Sequence, residues 1–260
     1  MAEISIIGCG NLGSALIEGL SKSGNHSVRA HDVDPDALET VAPYCQQTAT
    51  NLDDVTEADV VIVAVKPGAM GDVLSALDLS PDQTLVSVAA GVPAEFVEAR
   101  TDATVVRIMP NLAAKTGDMA TAATWEEVDE DVRALLDDLG EFVEIDEGLM
   151  DVATALNGSG PAFVFYVLRA MKRAGVEEGL APDDAEVLAA QTVKGAAETV
   201  LRSDGSVDDL IDAVCSPKGT TIEGMEVLRD SDVEAVVGEA LFAAADRSRE
   251  LAASFESDHE

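Results

Sequence analysis

The sequence predicts an α/β protein: a doubly wound, mostly parallel sheet in the N-terminal part, followed by a second domain made only of helices. Three observations carry that prediction. Short apolar runs alternate with helix-periodic segments up to about residue 150. A glycine-rich turn, Gly8-Cys9-Gly10-Asn11-Leu12-Gly13, follows the first of those runs and opens a helical pattern. Beyond Thr154 no further strand-like run occurs.

Taken in order, Ile4 to Ile7 is a short apolar strand, and Ala15, Leu16, Ile17 and Leu20 recur at helical spacing behind the glycines. Val28 to His31 predicts a second strand and Ala37 to Tyr44 a helix. Val60 to Val65 is apolar throughout, as in a strand buried on both faces. Leu85 to Val88 and Val105 to Ile108 follow as the fourth and fifth strands. Ala120 to Thr124 and Phe142 to Ile145 are strand-like and extend one edge, flanking an acidic helix that starts near Glu126. After about Thr154, and as far as Phe255, the pattern is helical, broken at Gly175, at Gly179 to Pro182, at Asp204-Gly205 and at Cys215 to Thr221. The expected division is therefore residues 1–154 and 155–260. Segments such as Ala162 to Ala174 and Ala185 to Leu201 are apolar over more of their surface than one small bundle can bury, so a subunit interface on the helical domain is expected.

Composition narrows the function. The 260 residues, 47% apolar, suffice for a large core. Fifty acidic against sixteen basic residues give a net charge of -34, which argues against nucleic-acid partners. Such a charge destabilises by self-repulsion in dilute buffer and is tolerated where salt screens it, a pattern like that of proteins from salt-accumulating microbes. No apolar run approaches the roughly 18 residues of a membrane span, and no leader peptide is evident, so a cytoplasmic protein without a membrane partner is expected. Cys9, Cys45 and Cys215 form neither a metal-binding pattern nor an even set, so neither a metal nor a disulfide frame is expected.

Two stretches carry chemistry. The glycine turn lets backbone approach a pyrophosphate at a helix N-terminus, and Asp32, at the end of the second strand, is placed to accept hydrogen bonds from a ribose diol while repelling a 2'-phosphate. In the second, Thr220-Thr221-Ile222-Glu223 has the form of a capping box with Thr220 as N-cap. The N–H groups of Gly219, Thr220 and Thr221 would stand bare before that helix, beside Ser216, as an anion site. A plain helix cap without a ligand explains the same residues.

The motifs GCGNLGSAL, AVKPG (Ala64 to Gly68), SVAAGV (Ser87 to Val92), RIMPN (Arg107 to Asn111), NGSGPAFVF (Asn157 to Phe165) and VCSPKGTTIEG (Val214 to Gly224) stand in one order. In that order and spacing the chain resembles the pyrroline-5-carboxylate reductase family from about Ile4 to Leu251. The resemblance implies a Rossmann domain plus a helical dimerisation domain, and reduction of 1-pyrroline-5-carboxylate to L-proline by NADPH or NADH. It implies a homodimer or higher oligomer built on the helical domain.

By the same resemblance Gly8, Gly10, Asn11, Leu12, Gly13, Asn51, Lys66, Pro67, Ala89 and Ala90 join Asp32 in cofactor binding, with Ala89 and Ala90 bordering the nicotinamide. Ser216, Gly219, Thr220 and Thr221 would hold the substrate carboxylate, with Glu147 and Asp204 as acids nearby. The Thr221 hydroxyl is the candidate catalytic group, contacting the imine nitrogen directly or through water. No basic residue lies between Asp32 and the next helix, which leans the cofactor choice to NADH, with His31 and Asn51 as the residues that could still bond a phosphate.

Three departures stand out. Lys218 replaces the first glycine of the family's SPGGTT, so either that position needs no positive φ or the loop is altered. Leu112 and Ala113 replace the threonine and proline of MPNTP. Arg169, Lys172 and Arg173 form a basic cluster on one helix face, suited to a salt bridge with an acidic neighbouring subunit or to a cofactor phosphate. Two other function classes share the early motifs: another imine or β-hydroxyacid reductase, and a non-catalytic dinucleotide-sensing dimer.

Overall fold

A computed structural model describes residues 2–125 and 130–259. Its eight strands are β1 (Glu3–Ile7), β2 (Ser27–His31), β3 (Gln47–Ala49), β4 (Val60–Val63), β5 (Thr84–Ser87), β6 (Thr104–Met109), β7 (Met119–Thr124) and β8 (Gly140–Glu144). They form one sheet in the order β3-β2-β1-β4-β5-β6-β7-β8. The first six are parallel neighbours, β6 and β7 are antiparallel, and β7 and β8 are again parallel. The helices of this part are α1 (Asn11–Ser23), α2 (Pro35–Val41), α3 (Met70–Ala76), α4 (Ala94–Glu98), α5 (Glu130–Leu139) and α6 (Met150–Ala153). The start expected near Glu126 lies outside the described residues.

Strand alternation sorts the core into two layers. Ile4, Ile6, Val60 and Ile62 pack with Leu16, Ile17 and Leu20 of α1 and Leu135, Leu136 and Leu139 of α5. Ile7, Val61, Val63 and Leu85 face the opposite layer, with Met70, Leu74, Val97 and Phe255. Both faces of β4 are thus covered, which is why its sequence is an unbroken apolar run rather than an alternating one. β3 was not expected from sequence: Gln47-Thr48-Ala49 has no apolar run, and it serves as a short edge strand paired only to β2.

The chain divides into two compact units, residues 1–159 with 242–260, and residues 160–241. The second holds α7 (Gly160–Glu177), α8 (Pro182–Arg202), α9 (Val207–Val214), α10 (Thr220–Arg229) and the start of α11 (Val233–His259). The sequence expectation put all residues after 154 in one helical domain. The structure returns the end of α11 to the sheet unit, because Phe255 is buried in the second core layer and meets Phe96 edge-to-face at 4.7 Å. Ser248 Oγ also donates to the Asp151 carboxylate at 2.5 Å.

The helical unit has little core of its own. No residue of α7, α9 or α10 is buried, and in α8 only Ala185 and Ala189 are. Phe165 and Tyr166 are each 66% exposed. An apolar surface of that extent calls for cover by another chain. Among the described residues no helix is long and apolar enough to cross a membrane.

Candidate functional site

The sheet order reverses direction between β1 and β4, and open parallel sheets take ligands outside the strand C-termini at such a switch point. The glycine turn occupies that position. Gly8 has φ +101, and a Cβ there would lie 2.6 Å from the Ala64 carbonyl oxygen. The turn is pinned on its inner side: Gly8 N–H donates to His31 O at 2.8 Å, and Ala64 N–H donates to Ile7 O at 2.7 Å. A Cβ on Gly13 would collide with the Gly8 carbonyl, so Gly13 is what lets α1 close onto β1. Gly10 differs. Its φ is an ordinary -66 and an added Cβ would meet nothing within 4 Å.

The first intrahelical bond of α1 is Ser14 N–H to Gly10 O at 2.9 Å. The N–H groups of Gly10, Asn11, Leu12 and Gly13 have no acceptor among the described residues. No side chain caps this end, and no acid lies in the first helical turn to compete with an anion. These features fit a pyrophosphate over Gly10.

Asp32 sits where the sequence places it, beside the turn. Its carboxylate accepts from Cys9 N–H at 2.6 Å and from Asp34 N–H at 2.9 Å. A carboxylate offers about four acceptor positions, so two remain for ribose hydroxyls. Val33, the next side chain, is 83% exposed. Asn51 is exposed and precedes a 3-10 turn, Leu52–Asp54, that its side chain does not cap. Lys66 is exposed and leads into the turn Pro67–Ala69 after β4, while Ala89 is buried and Ala90 half-buried just past β5. His31, expected as a residue that could still bond a phosphate, is 8% exposed and contacts Thr50 O through Nε2 at 3.3 Å, with Nδ1 buried and without a partner among the described residues.

Cys9 and Cys45 supply no nucleophile. Burial, assisted by the Asp32 charge, pushes the Cys9 thiol up to about 12, and burial pushes Cys45 to about 11. Both are protonated at neutral pH.

In the helical unit the loop between α9 and α10 is a tight turn. Gly219 N–H donates to Ser216 O at 2.9 Å, Pro217 occupies the second position, and Lys218 the third with φ 62. A positive φ at that position is the mark of a type II turn, where glycine is the usual residue. Lys218 is the one non-glycine with positive φ among the described residues. The position therefore does need that conformation, and a lysine adopts it. A Cβ on Gly219 would collide with Ser216 Oγ, so the glycine keeps that hydroxyl over the start of α10.

Two expectations for this loop need correction. Thr220 is not the N-cap: Gly219 is, with φ -83 and ψ 164, and no side chain caps the helix. The shift by one residue puts Glu223 out of register for a capping box. The Gly219 N–H is consumed by the turn, which leaves those of Thr220 and Thr221 without an acceptor among the described residues. Thr221 also borders an apolar groove of about 460 Å³ between α8, α9 and α10, with Val200, Ile211, Val214 and Met225. Asp204 is exposed in the α8–α9 connection, where Ser206 and Asp209 form a reciprocal capping box. The Ser206 hydroxyl and N–H hold the Asp209 carboxyl below its usual range.

Glu147, expected by resemblance as an acid near the substrate, also makes contacts within the sheet unit. Its Oε1 is ion-paired with Arg107 of β6, whose side chain is 7% exposed, and also accepts from Ala94 N–H at 3.3 Å, while Oε2 is buried. Oε1 thus serves the buried guanidinium, which requires a partner, while Oε2 has no hydrogen-bond partner among the described residues. Arg107 had appeared only inside the RIMPN motif; an arginine in an otherwise apolar strand was the available signal. Asn157 was also missed as a structural residue: its side-chain amide donates to Ala120 O at 3.0 Å, and its backbone carbonyl accepts from Asn111 Nδ2 at 3.3 Å. It lies in a π-helical turn, Thr154–Ser159, the segment before α7 in the chain. Of the basic cluster, Lys172 pairs with Glu186 of α8, and Arg169 stacks over Tyr166 at 4.8 Å.

Fold and turn together define a dinucleotide-binding oxidoreductase with an appended helical domain. Residues 147–251 match the sequence model of pyrroline-5-carboxylate reductase dimerisation, and residues 3–91 that of the coenzyme F420-dependent NADP oxidoreductases. The pyrroline-5-carboxylate reductase of Methanosarcina acetivorans is 39% identical, with 96% of this chain and 97% of that protein covered. That of Escherichia coli is 34% identical, with 97% and 99% covered. The solved pyrroline carboxylate reductase of Plasmodium falciparum, with NADP bound, superposes with a TM-score of 0.83 at 26% identity, covering 96% of this chain and 98% of that one. The Streptococcus pyogenes enzyme gives 0.82 at 32% identity, with the same coverage. The chain belongs to the pyrroline-5-carboxylate reductase family.

Proposed function

We propose that the protein reduces the C=N bond of 1-pyrroline-5-carboxylate to give L-proline, the last step of proline biosynthesis, as a cytoplasmic homodimer joined through its helical unit. The bound nicotinamide cofactor supplies the hydride. The chain's own residues supply anion sites, orientation and a hydroxyl. Free N–H groups of Gly10, Asn11, Leu12 and Gly13 receive the pyrophosphate, and Asp32 the adenosine ribose. Lys66, Pro67, Ala89 and Ala90, on the turns after β4 and β5, line the path of the other half, with Asn51 beyond β3 on the adenine side.

The observation that carries the substrate assignment is the type II turn at Ser216–Gly219, which presents two free N–H groups and the Ser216 hydroxyl at a helix start. A carboxylate there is bonded by dipoles already in place. Imine reduction needs hydride at the ring carbon and a proton on nitrogen, since the iminium is the better electrophile. With no histidine in the loop, the Thr221 hydroxyl, or water on it, holds the nitrogen end, and most of the rate comes from positioning. Asp204, exposed and next to this unit's capping box, adds negative potential that favours an iminium. A cyclic imine lacking the carboxylate tests this reading: its kcat/KM should be lower by about 10- to 100-fold, the worth of charge-assisted hydrogen bonds. Equal turnover would remove the loop from carboxylate recognition.

NADH is the favoured cofactor in this reading. Asp32 is anchored beside the glycine turn, Val33 carries no charge, and His31 is buried with its Nε2 on Thr50 O. The ratio of kcat/KM for NADH and NADPH tests it, with Asp32→Ser expected to move the ratio toward NADPH. A tenfold preference of the wild type for NADPH would contradict it.

A further inference from the structure

Arg107 and Glu147 have no part in the chemistry above, yet among the described residues they form the most buried arginine–carboxylate pair of the sheet unit. In the β5–β6 register Ser87 lies opposite Arg107, so both side chains share one face at the C-terminal end of the sheet. Ser87 ends β5. The next residues, Val88 to Pro93, form the turn that carries Ala89 and Ala90 and runs into α4. Glu147 grips the far end of that turn: the oxygen that pairs with Arg107 also accepts the N–H of Ala94, the first residue of α4. The near end is fixed by Val88 N–H to Val63 O at 3.3 Å. Behind the middle, Gly91 has φ +74, and a Cβ there would lie 3.1 Å from the Ala252 nitrogen of α11.

The location of this turn gives the grip a consequence. Asp32 fixes the adenosine end toward β2, and the pyrophosphate lies over the β1 turn, so the nicotinamide half runs the other way, across the ends of β4 and β5. We infer that Arg107 and Glu147 are positioning residues: Arg107 orients Glu147, and Glu147 tethers the Ala89–Pro93 turn at the height that sets the nicotinamide face. The inference rests on the cofactor geometry proposed above. It assigns Glu147 to the hydride donor's side of the reaction through the backbone, and not to contact with the cyclic imine.

Ala94→Pro isolates the tether. Proline is well accepted at the first helical position, and Pro93 before it already has φ -65 and ψ 151, as a residue preceding proline requires. The substitution removes the N–H that Glu147 accepts and leaves the ion pair in place. The expected result is a fall in kcat of about tenfold, with KM and Kd for NADH within about twofold and little change in Tm, since small misplacements of a reacting group are costly in rate. The emission maximum and lifetime of bound NADH should also shift, a readout that needs no substrate.

A second variant, Arg107→Met with Glu147→Leu, removes both charges together. Breaking either alone would leave an unpaired buried charge, whereas apolar replacement of both restores much of the stability. The double variant should recover Tm relative to either single change while kcat stays low. Wild-type kcat and unchanged NADH fluorescence in Ala94→Pro, or kcat recovering together with Tm in the double variant, would overturn the inference. Absence of imine reduction by the wild type would instead sink the functional reading, and the fluorescence comparison would still decide the tether.

Discussion

Gly10 and Gly13 stand three residues apart in one turn, and the structure assigns them opposite kinds of work. At Gly13 an added Cβ falls far below the 3.0 Å closest approach of real Cβ atoms, against a backbone carbonyl that cannot rotate away. Gly13→Ala must therefore push α1 off β1, at a cost of about 3 kcal/mol or more, the upper range of overpacking. For a chain of this size that lowers Tm by roughly 6 to 12 °C. At Gly10 the backbone is in a region any residue adopts, and the Cβ points into open space. Gly10→Ala should leave Tm within about 2 °C, since Gly-to-Ala changes at compatible positions move stability by about 0.4–1 kcal/mol. Its methyl would stand where the pyrophosphate must approach. Losing even one charge-assisted hydrogen bond, about 1.5–3 kcal/mol, raises Kd for NADH by roughly 10- to 100-fold. Thermal melts with NADH titrations by fluorescence measure both quantities on each variant. Gly10→Ala binding NADH at wild-type affinity would refute the placement of the pyrophosphate; Gly13→Ala melting like wild type would refute the packing argument.

Three further outcomes are expected. Thr221→Ala should lower kcat/KM by roughly 10- to 100-fold, about 1–3 kcal/mol of transition-state stabilisation, with NADH affinity retained; wild-type kinetics would take Thr221 out of the mechanism. Lys218→Gly should relieve about 1 kcal/mol of left-handed backbone strain, partly offset by the greater freedom of glycine in the unfolded chain, so Tm holds or rises slightly. In the same variant substrate KM should rise and lose part of its salt dependence, because an ammonium beside the carboxylate is gone; an unchanged KM would show that Lys218 points elsewhere. With a net charge of -34, the protein should gain roughly 10 °C in Tm between 0.1 M and 2 M KCl as the screening length falls from about 10 Å to under 3 Å, and equal melting at both would contradict salt adaptation.

How much of this was legible in the sequence depended on whether the signal was local. The strand-turn-helix around Gly8 and the buried run expected over Val60 to Val65, of which Val60–Val63 is strand, followed from periodicity and glycine spacing, which depend on neighbours in sequence. The edge strand Gln47–Ala49 escaped because pairing to β2, not its own residues, makes it a strand. Thr220 was misplaced by one residue, since a hydroxyl at N-cap and a glycine at N-cap are close in free energy and the Ser216 turn decides between them. Lys218 could not be resolved from sequence at all: a lysine gives no sign of positive φ, and only the Ser216-to-Gly219 bond reveals that the turn demands it. The pairing of Glu147 with Arg107 was not legible either, because the partner lies forty residues away on a strand where charge is unexpected. The return of α11 to the sheet unit likewise rests on long-range contacts, those of Phe255 and Ser248.

The most direct measurement is the oxidation of NADH and of NADPH by the purified protein with 1-pyrroline-5-carboxylate in molar KCl, with proline quantified in the same samples. Oxidation that depends on the imine, yields one proline per cofactor consumed, and runs at higher kcat/KM with NADH is the predicted result. Cofactor binding without imine-dependent oxidation would contradict it, and would leave a dinucleotide-binding dimer that has the fold of a reductase without its reaction.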